Sequence, residues 1–460
     1  MPRGRMLFRW LLLVGALLAS WLMVPAAGAG GLKLDCEEQC SVLSKKAPTD
    51  ETGPREDTTS AFTVDLGSEH VVVTRGGTTR IYDSRQRRVF TLNASAKVYT
   101  STPLYAEVAH RANESRNRLM ICDGLSAAGV EEARSMMAPF WVEHLFGLTV
   151  RQTTGGELRE EVNGNVHRFF RGETLVVEFE PGETALSNAL ARTYQRFLLY
   201  ECPMHPAVQE KVKAAGHVLK TLRRHHVEPW AIHDFSLVLR SATPTESDSY
   251  TMPEGVVLGW PPEAKPSEVQ IIGLKVLTQK HETPRWTREQ FQQEVRKKLA
   301  DGKYFEAMLT VMEGGFQTGF QEPELLKAVA EHKEADPRIA ALGMAMVNTK
   351  ENQPGSLEVL QGIDRSDLDR SYILDILIGD CFMNMRQMKE AEESFLCVLR
   401  HNPYITGVWH DLGGMYVASY HESLGWFCVD VARSIAPDHP MLRQVTAVEQ
   451  SILADHPEFF

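Results

Sequence analysis

Two stretches, Tyr372–Pro403 (YILDILIGDCFMNMRQMKEAEESFLCVLRHNP) and Thr406–Pro437 (TGVWHDLGGMYVASYHESLGWFCVDVARSIAP), are written on one pattern. Each begins with an apolar run that contains a glycine, Gly379 or Gly413, and then an aromatic residue, Phe382 or Tyr416. Each passes through a polar turn and a second apolar stripe and ends in a proline, Pro403 or Pro437. The second copy follows the first at a spacing of about 34 residues. The glycine lets one helix approach its neighbour closely, and the proline stops the second helix because it cannot donate the next backbone hydrogen bond. The pattern therefore predicts two successive helical hairpins.

The same residues resemble the tetratricopeptide repeat, whose template is W-x2-L-G-x2-Y…A-x3-F…P. The first unit matches it with Ile378-Gly379, Phe382, Ala391, Phe395 and Pro403, and the second with Trp409, Leu412-Gly413, Tyr416, Ala432 and Pro437. The resemblance implies an α-solenoid over residues 287–460 that holds protein or peptide partners. It implies that Gly379, Phe382, Ala391, Phe395, Trp409, Leu412, Gly413 and Tyr416 pack the repeats. It also implies a groove lined by Ile373, Ile376, Asp380, Met383 and Asn384 of the first unit and by His410, Gly414 and Val417 of the second. Members of the family that clamp a carboxylate use basic residues and asparagines there. Only Asn384 matches, so the apolar, lightly acidic groove implies a helix or hydrophobic peptide as occupant.

Toward the N-terminus the helical signal continues back to Thr287, which forms a capping-box signature with Gln290. Gly302–Ala307 reads as a turn and the start of a helix, and Pro323 and Pro337 each open a helix at its first turn. Beyond Pro437, Leu442, Val445 and Val448 form the stripe of a capping helix. Before Thr287 the period changes to two. Phe62, Val64 and Leu66 alternate with polar residues, followed by Val71–Val73, Arg80–Tyr82, Val89–Leu92 and Lys97–Tyr99. A second set, Leu158–Val162, Val166–Phe170 and Leu175–Phe179, is joined by the hairpin signals Asn163-Gly164 and Arg171-Gly172.

Two helices are expected between these sets and the next strand. One carries the stripe Leu186, Leu190, Tyr194 and Phe197; the other carries Val208, Val212, Ala215 and Leu219, with Arg223–His226 near its end. Ala231–Leu239 alternates again, and Ile271–Leu277 is expected as a last strand. The expected fold class is multidomain: an α+β domain over 58–280, an antiparallel meander plus helices, followed by the all-α solenoid.

Residues 30–57 read as a disordered linker. Before them, Arg3, Arg5 and Arg9 precede the apolar run Trp10–Val24, and Ala27-Gly28-Ala29 is a small-x-small cleavage site. Residues 1–29 are thus expected to be a signal peptide cut after Ala29, with an uncleaved anchor as the alternative and the only expected membrane contact. The body of the protein is expected to be exported, to periplasm or cell envelope, or secreted where the source has no outer membrane.

The 460-residue chain carries a formal net charge of −11, which leaves no electrostatic footprint for nucleic acid. Its seven cysteines are odd in number, and Cys122–Cys202 is the expected bridge. Tyr200–Pro206 resembles the Cys-Pro-Met-His-Pro element of copper-handling segments, but the second cysteine-rich element is missing, so no metal is expected. His225, His226, Glu228, His233 and Asp234 are ligand types without a metal-site spacing. Nucleophile elbows, zincin helices and phosphate loops are absent. The expectation is a non-enzymatic protein with no cofactor that binds protein or peptide partners through its helical repeats. The alternative is an apolar-ligand or lipoprotein carrier built on the β-rich domain.

Overall fold

The computed structural model describes residues 30–45, 52–130, 139–150, 158–227, 231–348 and 352–460. The expected signal segment, residues 1–29, lies outside them. The chain divides into two compact units: Met1–Ser95 with Arg111–Val256 and Glu458–Phe460, and Ala96–His110 with Val257–Pro457. We call them the sheet unit and the helical unit.

The sheet unit is built on β1 (Gly31–Lys45), β2 (Thr52–Leu66), β3 (His70–Arg75), β4 (Thr78–Asp83), β5 (Arg88–Asn93), β7 (Arg159–Asn163), β8 (Val166–Arg171), β9 (Thr174–Ala185), β10 (His217–Val227) and β11 (Ala231–Thr245). β6 (Val98–Pro103) falls in the helical unit. The strand order is β5-β4-β3-β2-β1-β11-β10-β9-β8-β7, and these neighbours are antiparallel. Leu34, Cys36, Phe62, Val64, Leu222 and Leu237 are buried on the sheet. Helices α2 (Pro139–Phe146), α3 (Asn188–Glu201) and α4 (Pro206–Ala215), together with α1 (Leu104–Ala127) from Arg111 onward, bring Tyr194, Phe197, Leu198, Met204 and Val208 into the same core.

Several expectations are corrected here. Residues 31–45 are a central strand rather than a linker, paired with β2 on one side and β11 on the other. Its first half alternates Leu32, Leu34 and Cys36 inward with Lys33 and Asp35, a period-two signal hidden by the charged residues that follow. Leu219 and Arg223–His226 do not extend α4: Gly216 closes that helix at φ 66°, a conformation open to glycine, and the chain returns as β10. All seven cysteines are free, so Cys122 and Cys202 are unbridged. Cys202 caps α3, and enclosure pushes its thiol pKa upward.

The helical unit holds β6, paired in parallel with β12 (Val257–Leu258). Its helices are α5 (Glu268–Leu277), α6 (Arg288–Ala300), α7 (Tyr304–Thr318), α8 (Pro323–Ala330), α9 (Pro337–Asn348), α10 (Gln353–Gly362), α11 (Ile373–Asn384), α12 (Met388–His401), α13 (Thr406–Ala418), α14 (Glu422–Ile435) and α15 (Leu442–Asp455). The Thr287/Gln290 capping box opens α6 as expected. The expected strand Ile271–Leu277 is helix α5, opened by a Ser267/Gln270 capping box. Its Gly273 lies so close to the Phe427 ring that a Cβ would come within 2.6 Å, which is why α5 seats on α14. Glu458–Phe460, expected in the helical part, packs in the sheet unit: the Tyr200 hydroxyl donates to the Phe459 carbonyl at 2.8 Å. Among the described residues no helix is long and apolar enough to cross a membrane.

Candidate functional site

The expected packing residues sit at the helix crossings. A Cβ on Gly379 would lie 2.6 Å from the Phe395 ring, so α11 and α12 touch through the missing side chain. Gly413 faces Gly425 across α13 and α14, and a Cβ on Gly425 would fall 2.8 Å from the Gly413 carbonyl. Ala391, Phe395, Trp409 and Leu412 are fully enclosed, Tyr416 is buried, and Phe382 is half-buried. The Trp409 indole donates to the Pro403 carbonyl at 2.7 Å, which ties the second hairpin to the proline that ends the first.

The expected groove is not open along its length. Ile373 and Ile376 are 0% and 1% exposed, and α11, which carries both, is packed against the chain's own α7, α10 and α12. α7 docks through a buried polar stripe, Glu306, Thr310, Glu313 and Gln317, repeating every three or four residues along one helical face. Glu313 accepts from Arg370 Nε at 2.6 Å, Tyr372 Oη at 2.7 Å and Asn402 Nδ2 at 2.5 Å. Glu306 holds Lys298 Nζ at 3.0 Å and accepts from the Arg370 backbone at 3.2 Å. The Gln317 amide donates to the Trp286 carbonyl at 2.7 Å, and its own backbone carbonyl accepts from Thr406 at 2.8 Å. A buried carboxylate needs such partners, so this stripe sets the position of α7.

What remains of the groove is its far end. Asp380 and Val417 are half-buried, Met383 is partly packed, and Asn384 and Gly414 are exposed. Burial raises the Asp380 pKa, and the Asp411 charge beside it adds to the shift. His410 Nδ1 lies 3.0 Å from the Asp411 carboxylate.

A second concavity of the helical unit lies where the start of α6, the α7–α8 connection and the α14–α15 connection meet. It has a volume of about 710 Å³ and is lined by Arg285, Trp286, Phe320, His439, Pro440 and Arg443, among others. Gly319 closes α7 at φ 73°, and a Cβ there would overlap Pro440, so these two connections can only meet through a glycine. Trp286 is fixed by Phe291, ring centroids 5.2 Å apart, and by the Arg370 guanidinium 4.8 Å over its face. Nothing in the repeat template marks this cleft. The residues that could have shown it are Arg285-Trp286 before the capping box and Phe320 after Gly319.

In the sheet unit, Cys202 and His205, the copper-like pair, are engaged in packing. His205 caps α4, accepting from Ala207 N at 3.2 Å, and its Nε2 lies 3.2 Å from Glu143. The ring of His144 is enclosed beside it, stacked near Phe140 and His226. His225 pairs with Asp234 at 2.6 Å, and Glu228 lies outside the described residues. Among the described residues no group of three ligand-type side chains is placed to hold a metal. The covered face of the sheet is filled by Tyr194, Phe197, Met204 and Val208. A cleft of about 820 Å³ in this unit has a mixed lining, charged at Arg55, Asp57, Arg223 and Asp234 and apolar at Leu175, Val177 and Phe235.

No family model matches the chain, and no curated protein matches it. A solved structure described as "Lipid-protein interactions in lipovitellin" aligns over 94% of this chain and 56% of that chain, at 9% identity and a TM-score of 0.19. This chain thus spans little more than half the length of that protein, and at that score the likeness carries no argument about either unit.

Proposed function

We propose that the chain is a non-enzymatic binding protein whose helical unit is a tetratricopeptide-type stack that holds a protein or peptide partner. The observation that carries this reading is the pair of glycine-mediated crossings, Gly379 on Phe395 and Gly413 on Gly425, one repeat apart. Hairpins of this kind bury their apolar faces against neighbours and leave end and edge surfaces for partners. The filled centre of the α11–α13 face moves the expected contact away from Ile373 and Ile376, to surfaces the unit leaves open. The arginine-flanked apolar run before Pro25 supports export, with the cell envelope or secretion as destination.

The test is chemical cross-linking of the full chain in its native envelope or secretion fluid, with the linked residues located by mass spectrometry. Cross-links from other proteins should concentrate in residues 257–457. Cross-links confined to the sheet unit, or turnover of a small molecule by the purified chain, would overturn the proposal.

A further inference from the structure

We infer that the cleft between Trp286, Phe320 and Arg443 binds an acidic peptide segment carrying a large apolar side chain. This deepens the reading of the helical unit as a peptide-binding module and rests on it. The charge of the cleft is the first observation. The chain has a net charge of −11, yet this concavity is lined by Arg285, Arg288 and Arg443 against one carboxylate, Asp438. Arg288 is neutralised by Glu322 at 2.5 Å. Arg285 donates to the Ile435 carbonyl, a neutral partner, and makes no ion pair among the described residues. Arg443 is exposed and likewise makes none. Arg285 and Arg443 therefore outnumber Asp438 in the lining and leave the cleft one positive charge in excess, and planar guanidinium is the group best matched to a carboxylate.

The second observation is the apolar wall. Phe320 is 53% exposed and held under the Arg288 guanidinium at 4.7 Å from its centroid. With Trp286 and Pro440 it makes an apolar wall of the cleft. Aromatic and arginine side chains in a concave site are the features that dominate binding at peptide interfaces. The N-terminal end of α6 opens on the same cleft at Thr287 and Arg288, and its dipole favours negative charge there. A basic peptide meets like charge, and a purely apolar one leaves the excess positive charge desolvated without a partner.

The experiment uses the full chain and a fluorescein-labelled peptide of sequence Glu-Phe-Glu-Leu-Glu-Glu, followed by fluorescence anisotropy. Controls are the same peptide with Lys for Glu, and inorganic phosphate as competitor. The acidic peptide should bind and the lysine peptide should bind at least tenfold more weakly. Arg443→Glu and Phe320→Ala, both at exposed positions, should each weaken the acidic peptide at least fivefold while leaving the thermal unfolding curve in place. Binding should also fall with added salt, as a charge-dominated contact does. Equal binding by wild type and Arg443→Glu, or no preference for the acidic peptide, would overturn the inference. So would phosphate competing at an affinity equal to the peptide's, since the site would then be one for a simple anion. If Arg443→Glu still forms every native cross-link within residues 257–457, this inference fails while the binding function stands. If the wild type forms none there, the binding function itself fails.

Discussion

In the helical unit the enclosed carboxylate of Glu313 receives hydrogen bonds from Arg370, Tyr372 and Asn402. In the sheet unit the enclosed ring of His144 receives one, from the His205 backbone at 3.3 Å, and also meets the His225 backbone. Both sit at the docking face of a helix, α7 in one case and α2 in the other. The first helix is held by a charge whose partners are all present; the second is held by apolar and aromatic packing around a ring that must stay neutral. Removing a partner from the first leaves an unmatched buried charge, whereas adding a proton to the second creates one. The two units should therefore fail by different routes.

The largest effects are expected at the docking face of α7. Glu313→Ala should cost about 3–5 kcal/mol, because Arg370 is left enclosed without its anion. Ile376→Glu should cost a similar amount or more, since the side chain it replaces is 1% exposed and a carboxylate there has no partner to meet. Urea unfolding of the full chain measures both, and hydrogen exchange locates the loosening in α7, α11 and α13. A cost below about 1 kcal/mol for Glu313→Ala would mean that α7 is held by its apolar neighbours alone.

Next comes acidification of the sheet unit. Burial lowers the His144 pKa well below its ordinary value, and Arg224 and His226 on β10 and His205 at the start of α4 add to the shift. Glu143 on α2 lies against His205 rather than against His144. The folded state thus binds the His144 proton less readily than the unfolded chain does. Its contribution is complete above the unfolded value near 6.5 and is lost as pH falls below it, by at most about 1.4 kcal/mol per pH unit. Exchange of the 139–146 amides, corrected for intrinsic rate, should rise between pH 7.5 and 5. His144→Asn keeps an acceptor for the His205 N–H and removes the titration, so its exchange should be flat over that range. A variant as acid-sensitive as wild type would move the effect to other groups.

Asp380 should give a dependence of opposite sign. Its pKa is raised to about 8 by burial and by Asp411, so the folded state holds its proton longer than the unfolded chain. Its stability is complete below the unfolded value near 4 and is lost as pH rises toward the folded one. The urea midpoint of the helical unit should fall between pH 5 and 8.5, and Asp380→Asn should flatten most of that slope. An unchanged slope would show that the Asp380–Asp411 pair does not titrate in this window.

Why the two units differed in legibility follows from the same contrast. The hairpins α11–α12 and α13–α14 could be read because their crossings repeat at a fixed offset: Gly379 meets Phe395 and Gly413 meets Val429, each partner sixteen residues further on. The strands β2 to β5 and β7 to β9 could be read from alternation and from turns such as Asn163-Gly164. β1 could not, because Glu37 and Glu38 follow Cys36 side by side and break off the alternation that marks a strand. The role of α7 was invisible for a deeper reason. Its stripe Glu306, Thr310, Glu313 and Gln317 looks like a solvated face, and only the distant partners Arg370, Tyr372 and Asn402 make it a buried one. The cleft at Arg285 and Arg443 is likewise assembled from three connections far apart in the chain.

The smallest expected effect sits on the same helical face as one of the largest, which makes it the sharpest comparison. Ile376, Asp380 and Met383 follow one another along α11 at helical spacing. The first is enclosed, the second is half-buried, and the third is partly packed at the open end. Met383→Glu gives up part of a methionine contact and places a carboxylate in the last turn of α11, where the helix dipole disfavours it by a few tenths of a kcal/mol. The total should stay below about 1 kcal/mol at pH 6. Asp380 lies one turn earlier and holds its proton at that pH, so it adds little repulsion. As pH rises through about 8 Asp380 ionises, and two like charges three residues apart then repel, adding roughly 0.2–0.5 kcal/mol. Urea midpoints of Met383→Glu against wild type at pH 6 and pH 9 measure both terms. A penalty above about 2 kcal/mol at pH 6 would mean that the face is covered as far as Met383. A penalty that does not grow with pH would mean that the Asp380 charge does not reach that end of the helix.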